Sequence, residues 1–356
     1  MSGRPRVVFV DHSFHKVTLS SRFFSDILEE AAHVVALECE GWRSGATASA
    51  GEVDSVQADV AVFWQTLPDP IELLKLRTPA VWVPMYDSAV HSPGLFWDVL
   101  AHTGVSILSF CRALSRTARR HGIPVIDYTY YPDPSTFPPM EAPQEGVRVF
   151  FWDRGYIGFD QLRAVIDPRL VERTVVRRAP SPGLRPSRVT ARDVEDYKIR
   201  LIAGPLPQRE HLELVASCNV FFAPRRFEGI GMTFLEAMAM GLAVVAADSP
   251  TMNEYIRHGD NGFLFEPRNP GFLDLCTASQ VGARARKSVL RGRQDWLRSA
   301  QRLAADVLAV RPRPGAPSLR VAALAAVLTA GERAKSLVPP AYRAALTEAV
   351  RRGTTR

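Results

Sequence analysis

The chain has 356 residues, of which 46% are hydrophobic and 23% are charged. This balance is typical of a folded globular protein and excludes a disordered or fibrous chain, while the length allows two domains of ordinary size. The 44 lysines and arginines exceed the 37 acidic residues, which gives a net charge of +7 with histidine neutral. Positive charge attracts phosphorylated small molecules, nucleic acid or acidic lipid, although it also serves plain solubility.

The cysteines and the apolar segments indicate where the protein works. The four cysteines are scattered and form no Cys-x-x-Cys pair, which argues against a disulfide framework or a zinc site. The apolar run before Asp11 does not have the form of a signal peptide. No apolar stretch reaches the roughly 18 residues that span a bilayer. These features predict a cytoplasmic protein.

The first half of the chain alternates short apolar runs with segments of helical periodicity. Residues 6–10 form an apolar run that ends at a polar loop, as a buried parallel strand does. The pattern predicts further strands at residues 34–37, 59–64, 80–84, 105–110 and 124–128. It predicts helices at residues 20–32, 71–77, 95–102 and 112–121. Strands and helices that alternate at this pitch predict a doubly wound parallel sheet.

A proline-rich segment at residues 131–139 separates the two halves, because four prolines in nine residues cannot continue a strand or a helix. We place a domain boundary there, after residue 135. A second α/β series follows, with a helix at residues 161–166 and strands at residues 147–152, 198–203, 220–222 and 243–246. The arginine- and proline-rich residues 169–192 predict irregular surface structure. Beyond about residue 282 the composition predicts helices, which Val338-Pro-Pro340 interrupts once.

The most informative segment reads as strand, glycine loop, helix and strand, and its loop is Glu228-Gly-Ile-Gly-Met-Thr-Phe-Leu-Glu236. We predict that the helix begins near Thr233 and ends at Gly241. Glycines before a helix let backbone approach a ligand closely, and the free amides of the first turn favour a phosphate. Open parallel sheets bind ligands at this carboxyl edge.

Two carboxylates flank the glycines of this loop. Glu228 is placed to accept hydrogen bonds from sugar hydroxyls, and Glu236 is placed to bind the paired hydroxyls of a ribose. A purely structural interpretation stays open, because Thr233-Phe-Leu-Glu236 also matches a helix capping box. Thr251-x-x-Glu254 matches a second capping box, which favours a structural role for Glu254.

This segment resembles the donor signature of retaining GT-B glycosyltransferases of the group 1 type. About 65 residues match in order, from Gly204 through the loop and through Asn253 to Pro267. The resemblance implies an α/β fold of two Rossmann-like, doubly wound parallel-sheet domains that face each other across a cleft, followed by a helical tail. It implies an acceptor domain at residues 1–135, a donor domain at 136–315 and a tail at 316–356 that packs back toward the first domain.

The resemblance also implies roles for individual residues. Glu228 would contact the donor sugar, and Glu236 would bind the ribose. The backbone that would hold the sugar and the diphosphate is that of Gly229, Ile230, Gly231, Met232 and Thr233.

Members of this family carry an arginine and a lysine, five residues apart, that clamp the donor diphosphate. Arg154 matches the arginine, and a guanidinium can bind a phosphate through two hydrogen bonds. Phe159 stands at the lysine position, so either another cation, with Arg225 or Arg226 as candidates, replaces the lysine or the backbone holds more of the diphosphate. A surface salt bridge is the alternative role for Arg154.

Two polar loops of the first half are candidates for acceptor binding. His12, His15, Ser20 and Ser21 follow the first strand and are placed to meet an acceptor or a phosphate, unless Ser20 or Ser21 only caps the next helix. The family often places a histidine after a later strand, where this chain carries Asp87 and His91. A structural role is the alternative for both.

The residues and the resemblance together predict transfer of a sugar from a nucleoside-diphosphate sugar to an acceptor hydroxyl, with retention of anomeric configuration. No Asp-x-Asp triplet occurs, and arginines and a helix terminus can stabilise the diphosphate without a metal ion, so no cofactor is predicted. The base, the sugar and the small-molecule, lipid-linked or glycan acceptor stay undefined. The missing lysine motivates a second hypothesis, a non-catalytic protein that binds a nucleotide sugar.

The positive charge of the chain suggests two other classes of partner, a membrane surface and nucleic acid. Residues 284–302 contain seven basic residues and one acidic residue, with apolar residues among them, as in segments that lie on the inner surface of a membrane. A solvated arginine-rich helix explains the same pattern. Nucleic acid is not predicted, because no known binding module accompanies the positive charge.

Overall fold

The computed structural model describes residues 3–41, 47–141, 146–204, 206–312 and 317–337. The chain divides into two compact units, which are Met1–Thr129 with Leu297–Arg356, and Tyr130–Trp296. The first division lies just before the proline-rich segment at residues 131–139. The second lies within the long helix Ala278–Leu308, whose last part groups with the first unit.

The first unit contains a six-stranded parallel sheet with the order β2-β1-β3-β4-β5-β6. Its strands are β1 Arg6–His12, β2 His33–Cys39, β3 Val60–Trp64, β4 Ala80–Val83, β5 Ser106–Ser109 and β6 Val125–Asp127. Its helices before the second unit are His15–Thr18, Arg22–Ala31, Ala50–Ser55, Pro70–Lys75, Tyr86–Ala89, Gly94–Leu100 and Arg112–Arg120. All six strands that the sequence predicts are present, and β3 and β4 are buried along their whole length.

The second unit contains its own six-stranded parallel sheet, with the order β12-β11-β10-β7-β8-β9. Its strands are β7 Val147–Asp153, β8 Val171–Arg178, β9 Ile199–Ala203, β10 Val220–Phe222, β11 Ala243–Ala247 and β12 Phe263–Phe265. Its shorter helices are Phe159–Val165, Ala191–Asp196, Gln208–Ala216, Met232–Met240 and Met252–Tyr255. The predicted α/β class with two doubly wound parallel sheets is therefore confirmed.

One prediction for the second unit is wrong in part. Residues 179–190 form no helix or strand, as predicted, but residues 171–178 are not irregular, because they form β8, which pairs with β7 on one side and β9 on the other. Val171, Val175 and Val176 fill the core from this strand, while the arginines between them hid the apolar pattern. The short strand β12 also went unpredicted.

Helices follow the second sheet, as the composition predicts. The helix Ala278–Leu308 packs closely on the unit, since a Cβ atom at Gly282 would lie 2.0 Å from the carbonyl oxygen of Gly241. The helix Leu319–Leu337 packs on Pro70–Lys75 and Gly94–Leu100 within the first unit. The predicted break at Val338 lies outside the described residues. Among the helices described, none has the length and apolar character needed to cross a membrane.

Candidate functional site

A glycine in the left-handed conformation starts the helix that follows β10. The helix Met232–Met240 has Gly231 as its N-cap with φ 80° and Gly241 as its C-cap with φ 97°. A Cβ atom at Gly231 would lie 1.9 Å from the ring of Phe234, so that both the backbone and the packing require glycine here. The predicted start near Thr233 and end at Gly241 are confirmed.

The first turn of this helix has no side-chain cap, so the capping-box interpretation of Thr233 and Glu236 is wrong. Within the ranges that the structure describes, no group accepts a hydrogen bond from the amides of Met232, Thr233 or Phe234. Unsatisfied amides and the positive end of the helix dipole together attract an anion. This helix terminus therefore has the properties of a phosphate site.

The loop before the helix is held by Thr251. The Thr251 hydroxyl donates to the carbonyl oxygens of Glu228 at 2.7 Å and Gly229 at 2.9 Å. Thr251 is fully buried and makes no cap hydrogen bond to its own helix, so the second capping-box interpretation is also wrong. Sequence reasoning missed this role, because the spacing to Glu254 suggested a local cap and the true partner lies 23 residues upstream.

The two carboxylates of the loop lie in different surroundings. Glu228 is 9% exposed, and its Oε2 atom lies 3.9 Å from the Nη1 atom of Arg225. Glu236 is half-buried, and burial raises its pKa to about 7. Its charge also acts on Tyr130, whose pKa is raised to about 12 first by burial and then by Glu236. No hydrogen-bond partner of the Glu236 carboxylate lies in the described part of the chain, so it can accept bonds from a ligand hydroxyl.

Two arginines at this edge stack on aromatic rings. Arg154 follows β7 directly, lies 5.0 Å from the centre of the Trp152 ring and donates to the Ser181 hydroxyl at 3.2 Å. Arg225 lies 4.4 Å from the centre of the Tyr156 ring and donates to its hydroxyl at 3.3 Å. Stacking fixes a guanidinium without using up all of its hydrogen-bond donors.

The sheet order places these groups on one edge. Strand β10, whose loop carries Glu228 and leads to the helix, pairs directly with β7, whose end carries Arg154. Because the strands are parallel, their carboxyl ends meet on the same side of the sheet. Arg154, Arg225, Glu228 and the helix start therefore lie at one edge of the second sheet.

Phe159 occupies the family lysine position as a core residue. It begins the helix Phe159–Val165, has no exposed surface, and its ring packs on Phe151 and Tyr197. A charged side chain would be expelled from such an apolar position. Any second cation for a diphosphate must come from elsewhere in the fold.

The predicted residues after β1 form a separate cluster in the first unit. The Asp11 carboxylate accepts hydrogen bonds from the His12 amide at 2.7 Å and the Ser21 hydroxyl at 2.6 Å, and pairs with His15 Nδ1 at 2.5 Å. Both histidines are buried. Ser21 is the N-cap of its helix but makes no cap hydrogen bond, and Ser20 accepts from Thr18, so neither serine caps the helix with its side chain.

The predicted pair after β4 also lies in the first unit. Asp87 is half-buried on the short helix Tyr86–Ala89, and His91 is exposed just after it. A cavity of about 370 Å³ elsewhere in this unit is lined by Lys75, Arg77 and Thr103, and by none of the predicted site residues.

The basic segment at residues 284–302 lies on the long helix that follows the second sheet. Val289 and Trp296 are buried, and Trp296 packs on Tyr130. Arg286 donates to the carbonyl of Ala239, and Arg293 donates to that of Tyr131. These side chains hold the unit together, which favours the structural interpretation of the segment over a membrane surface. Of the residues that can be described, no three His, Cys, Asp or Glu side chains group to hold a metal ion.

Comparison with solved structures identifies the class of fold. A glycosyltransferase from Rickettsia africae aligns with 87% of this chain and 100% of its own, at 12% identity and a TM-score of 0.58. HepE of Anabaena in complex with UDP-glucose aligns with 85% of this chain and 99% of its own, at 16% identity and a TM-score of 0.54. The chain therefore has the GT-B fold of glycosyltransferases.

Residues 201–273, which include the glycine loop, match the family model described as glycosyl transferases group 1. Sucrose synthase of Melioribacter roseus is 41% identical over 76 residues, or 20% of this chain and 10% of that enzyme. The alignments span 10% to 38% of the length of the curated relatives. The resemblance to group 1 glycosyltransferases is thus confirmed, and its sequence evidence lies in the second unit.

Proposed function

We propose that this protein transfers a sugar from a nucleoside-diphosphate sugar to an acceptor hydroxyl. The observation that carries the proposal is the uncapped start of the helix Met232–Met240, flanked by Glu228 and Glu236, inside the segment that matches the family. HepE of Anabaena, which shares the fold, binds UDP and UDP-glucose. A UDP or GDP sugar is therefore the first donor class to test.

The site suits the charge that develops during donor cleavage. As the bond between the anomeric carbon and the phosphate oxygen breaks, the sugar becomes oxocarbenium-like and negative charge builds on the leaving diphosphate. Arg154, Arg225 and the amides of the first helical turn stabilise that charge. Such preorganised donors supply the largest share of many enzymatic rate enhancements. They give the reaction a route that requires no metal ion.

We assign retention of configuration to a same-face reaction. The acceptor oxygen bonds to the anomeric carbon on the side that the diphosphate leaves, and the acceptor proton passes to the leaving phosphate oxygen. Glu228 acts as an orienting group for the sugar hydroxyls, because its carboxylate lies beside the Arg225 guanidinium at 3.9 Å. Glu236 binds the ribose hydroxyls.

The acceptor is assigned to the first unit. His12 ends β1, His15, Ser20 and Ser21 follow it, and Asp87 and His91 follow β4, so both groups lie at the carboxyl edge of that sheet. Open α/β sheets bind ligands at this edge. Small-molecule, lipid-linked and glycan acceptors all carry the required hydroxyl.

A second function is a nucleotide-sugar-binding protein without transfer activity, which the buried Phe159 favours because it removes one diphosphate cation. A thermal-shift panel of UDP, GDP and their sugars, followed by donor-hydrolysis assays, separates the two. Ligand that binds only the folded state raises the melting temperature. Transfer or hydrolysis supports the enzyme, whereas stabilisation without turnover supports the binding protein. Loss of the shift in Glu236→Ala, but not in the exposed control Glu195→Ala, ties binding to this site.

A further inference from the structure

The buried position of Phe159 leaves the proposed diphosphate site short of one cation. Arg154 contributes one positive charge, and the charge of Arg225 is partly compensated by the Glu228 carboxylate, which lies 3.9 Å from its guanidinium. A diphosphate carries more than one negative charge. A cation that replaces the lysine must reach the same edge of the second sheet from another strand. The inference below rests on the proposed function, because it concerns the ligand of that site.

Strand β8 supplies an arginine at the required edge. Arg177 lies one residue before the end of β8 and pairs in register with Trp152 of β7. Neighbouring strands are about 4.8 Å apart, so the ends of β8, β7 and β10 form a row about 10 Å long. This row carries Arg177, then Arg154, and then the loop that leads to the uncapped helix. A long, flexible side chain can cover one strand spacing.

One indole ring organises both arginines. The guanidinium of Arg177 lies 4.7 Å from the centre of the Trp152 ring, and that of Arg154 lies 5.0 Å from the same ring. Stacking on tryptophan orients a guanidinium and leaves its N–H groups for a planar oxyanion. Both cations are therefore placed around the same ring at this edge of the sheet.

Arg177 lacks the counter-charge that a buried arginine normally has. Its side chain is only 9% exposed, and its Nε atom is buried without a hydrogen-bond partner. Across the described residues its guanidinium forms no ion pair and no hydrogen bond. Buried charges are costly unless they are paired, so an unpaired one at a ligand-binding edge indicates that a ligand supplies the partner.

The neighbours of Arg177 offer donors and no negative charge. The His211 ring lies 5.0 Å from the Trp152 ring, and its pKa is lowered to about 4 by burial and by Arg177, so it is neutral at physiological pH. His211 Nδ1 and Trp152 Nε1 are also buried without partners among the residues described. The cluster therefore attracts an oxyanion and has nothing with which to neutralise Arg177 internally.

We infer that Arg177 is the second cation of the donor diphosphate site, held beside Arg154 by Trp152, and that it replaces the lysine excluded by Phe159. This assignment gives the donor-binding role to a residue 23 positions after Arg154 in the chain, on the neighbouring strand. The group that we expect Arg177 to bind is an oxyanion of the diphosphate, and not the nucleoside.

Isothermal titration of UDP, uridine and inorganic pyrophosphate tests the inference. Arg177→Met is expected to weaken UDP and pyrophosphate at least tenfold, to leave uridine unchanged, and to raise the melting temperature of the ligand-free protein because an unpaired buried charge is removed. Arg177→Lys retains the charge without the planar fork, and we expect it to weaken UDP and pyrophosphate by about threefold. The matched control is Arg200→Met, an exposed arginine on β9, which should change nothing.

Three results would overturn the inference. The first is unchanged UDP and pyrophosphate affinity in both Arg177 variants, and the second is an equal loss of uridine and UDP affinity. The third is a wild-type protein that binds none of UDP, GDP or pyrophosphate. If Glu236→Ala weakens UDP while Arg177→Met does not, the proposed function stands and Arg177 has no part in it. If Arg177→Met weakens pyrophosphate but the wild type transfers no sugar, the inference stands and the binding-protein alternative is favoured.

Discussion

The carboxyl edges of the two sheets use their polar groups in opposite ways. At the edge of the second sheet, the amides of Met232, Thr233 and Phe234 and the Glu236 carboxylate have no partners among the described residues. At the edge of the first sheet, the Asp11 carboxylate accepts hydrogen bonds from the His12 amide and the Ser21 hydroxyl and pairs with His15 Nδ1. Unsatisfied polar groups are costly, so a fold keeps them where a ligand satisfies them.

This difference separates two kinds of polar loop that look alike in a sequence. The cluster around Asp11 stabilises its own loop and orients its histidines, and it does so without a ligand. The loop from Glu228 to Glu236 is held by the Thr251 hydroxyl, which bonds to its backbone carbonyls. The amides of the first helical turn and the Glu236 carboxylate stay without partners in the described part of the chain. Three substitutions test whether the contrast holds.

The largest effect is expected from Gly231→Ala. The new methyl group meets the Phe234 ring and the residue keeps a positive φ of 80°, so the unfolding free energy should fall by about 3 kcal/mol. Denaturant titration measures the change. The control Gly259→Ala also has a positive φ, of 73°, but meets no atom within 4 Å, and we expect a loss of about 1 kcal/mol. Equal losses in the two variants would show that packing against Phe234 has no effect.

A smaller, pH-dependent effect is expected from Glu236→Gln. Burial raises the pKa of Glu236 from 4.5 to about 7, so the folded state binds the proton more tightly than the unfolded state. Wild-type stability should therefore fall as pH rises from about 4.5 to about 7 and change no further above that. The variant removes this penalty, and its gain over wild type should be near zero at pH 4. The full shift corresponds to about 3 kcal/mol, and because Glu236 is only half-buried, solvent screening reduces the expected gain at pH 8 to about 2 kcal/mol.

The same variant distinguishes a ligand-binding carboxylate from a buried structural one. An ionised carboxylate accepts ribose hydroxyls better than a neutral one, so UDP affinity of the wild type should rise as pH increases through 7. The affinity of Glu236→Gln should stay level over this range. A parallel rise in both proteins would assign the pH dependence to the phosphate of UDP and remove Glu236 from the ribose site.

Much of the architecture is predictable from sequence, because buried parallel strands are continuous apolar runs. Strand β8 was not predicted, because Arg173, Arg177 and Arg178 interrupt its apolar run. The positions of these arginines are understood only from the pairing of β8 with its neighbouring strand. Both capping boxes were wrong for a related reason. A capping pattern describes local hydrogen bonds, whereas the Thr251 hydroxyl bonds to carbonyls of a distant loop.

The residues of the candidate site also fall into two groups, those that a local sequence pattern predicts and those that depend on contacts between distant segments. Glu228, Glu236 and the glycines follow from spacing within one segment, and the structure places them around one helix start. The stack of Arg154 and Arg177 on Trp152 depends on the register between β7 and β8, which the sequence does not contain in any local pattern. Phe159 shows the converse, because its departure from the family motif is visible in the sequence but its burial is not.

The smallest effect is expected from Asp11→Asn, which tests the other side of the comparison. The amide cannot accept hydrogen bonds with both of its terminal atoms, so the bond from Ser21 or the contact with His15 is lost. We expect a loss of about 1 kcal/mol in unfolding free energy, the usual contribution of one such bond. UDP affinity, measured by titration, should match the wild type, because this carboxylate is committed to its own loop. A fall in UDP affinity comparable to that of Glu236→Ala would mean that the Asp11 cluster takes part in donor binding, and the contrast between the two edges would not hold.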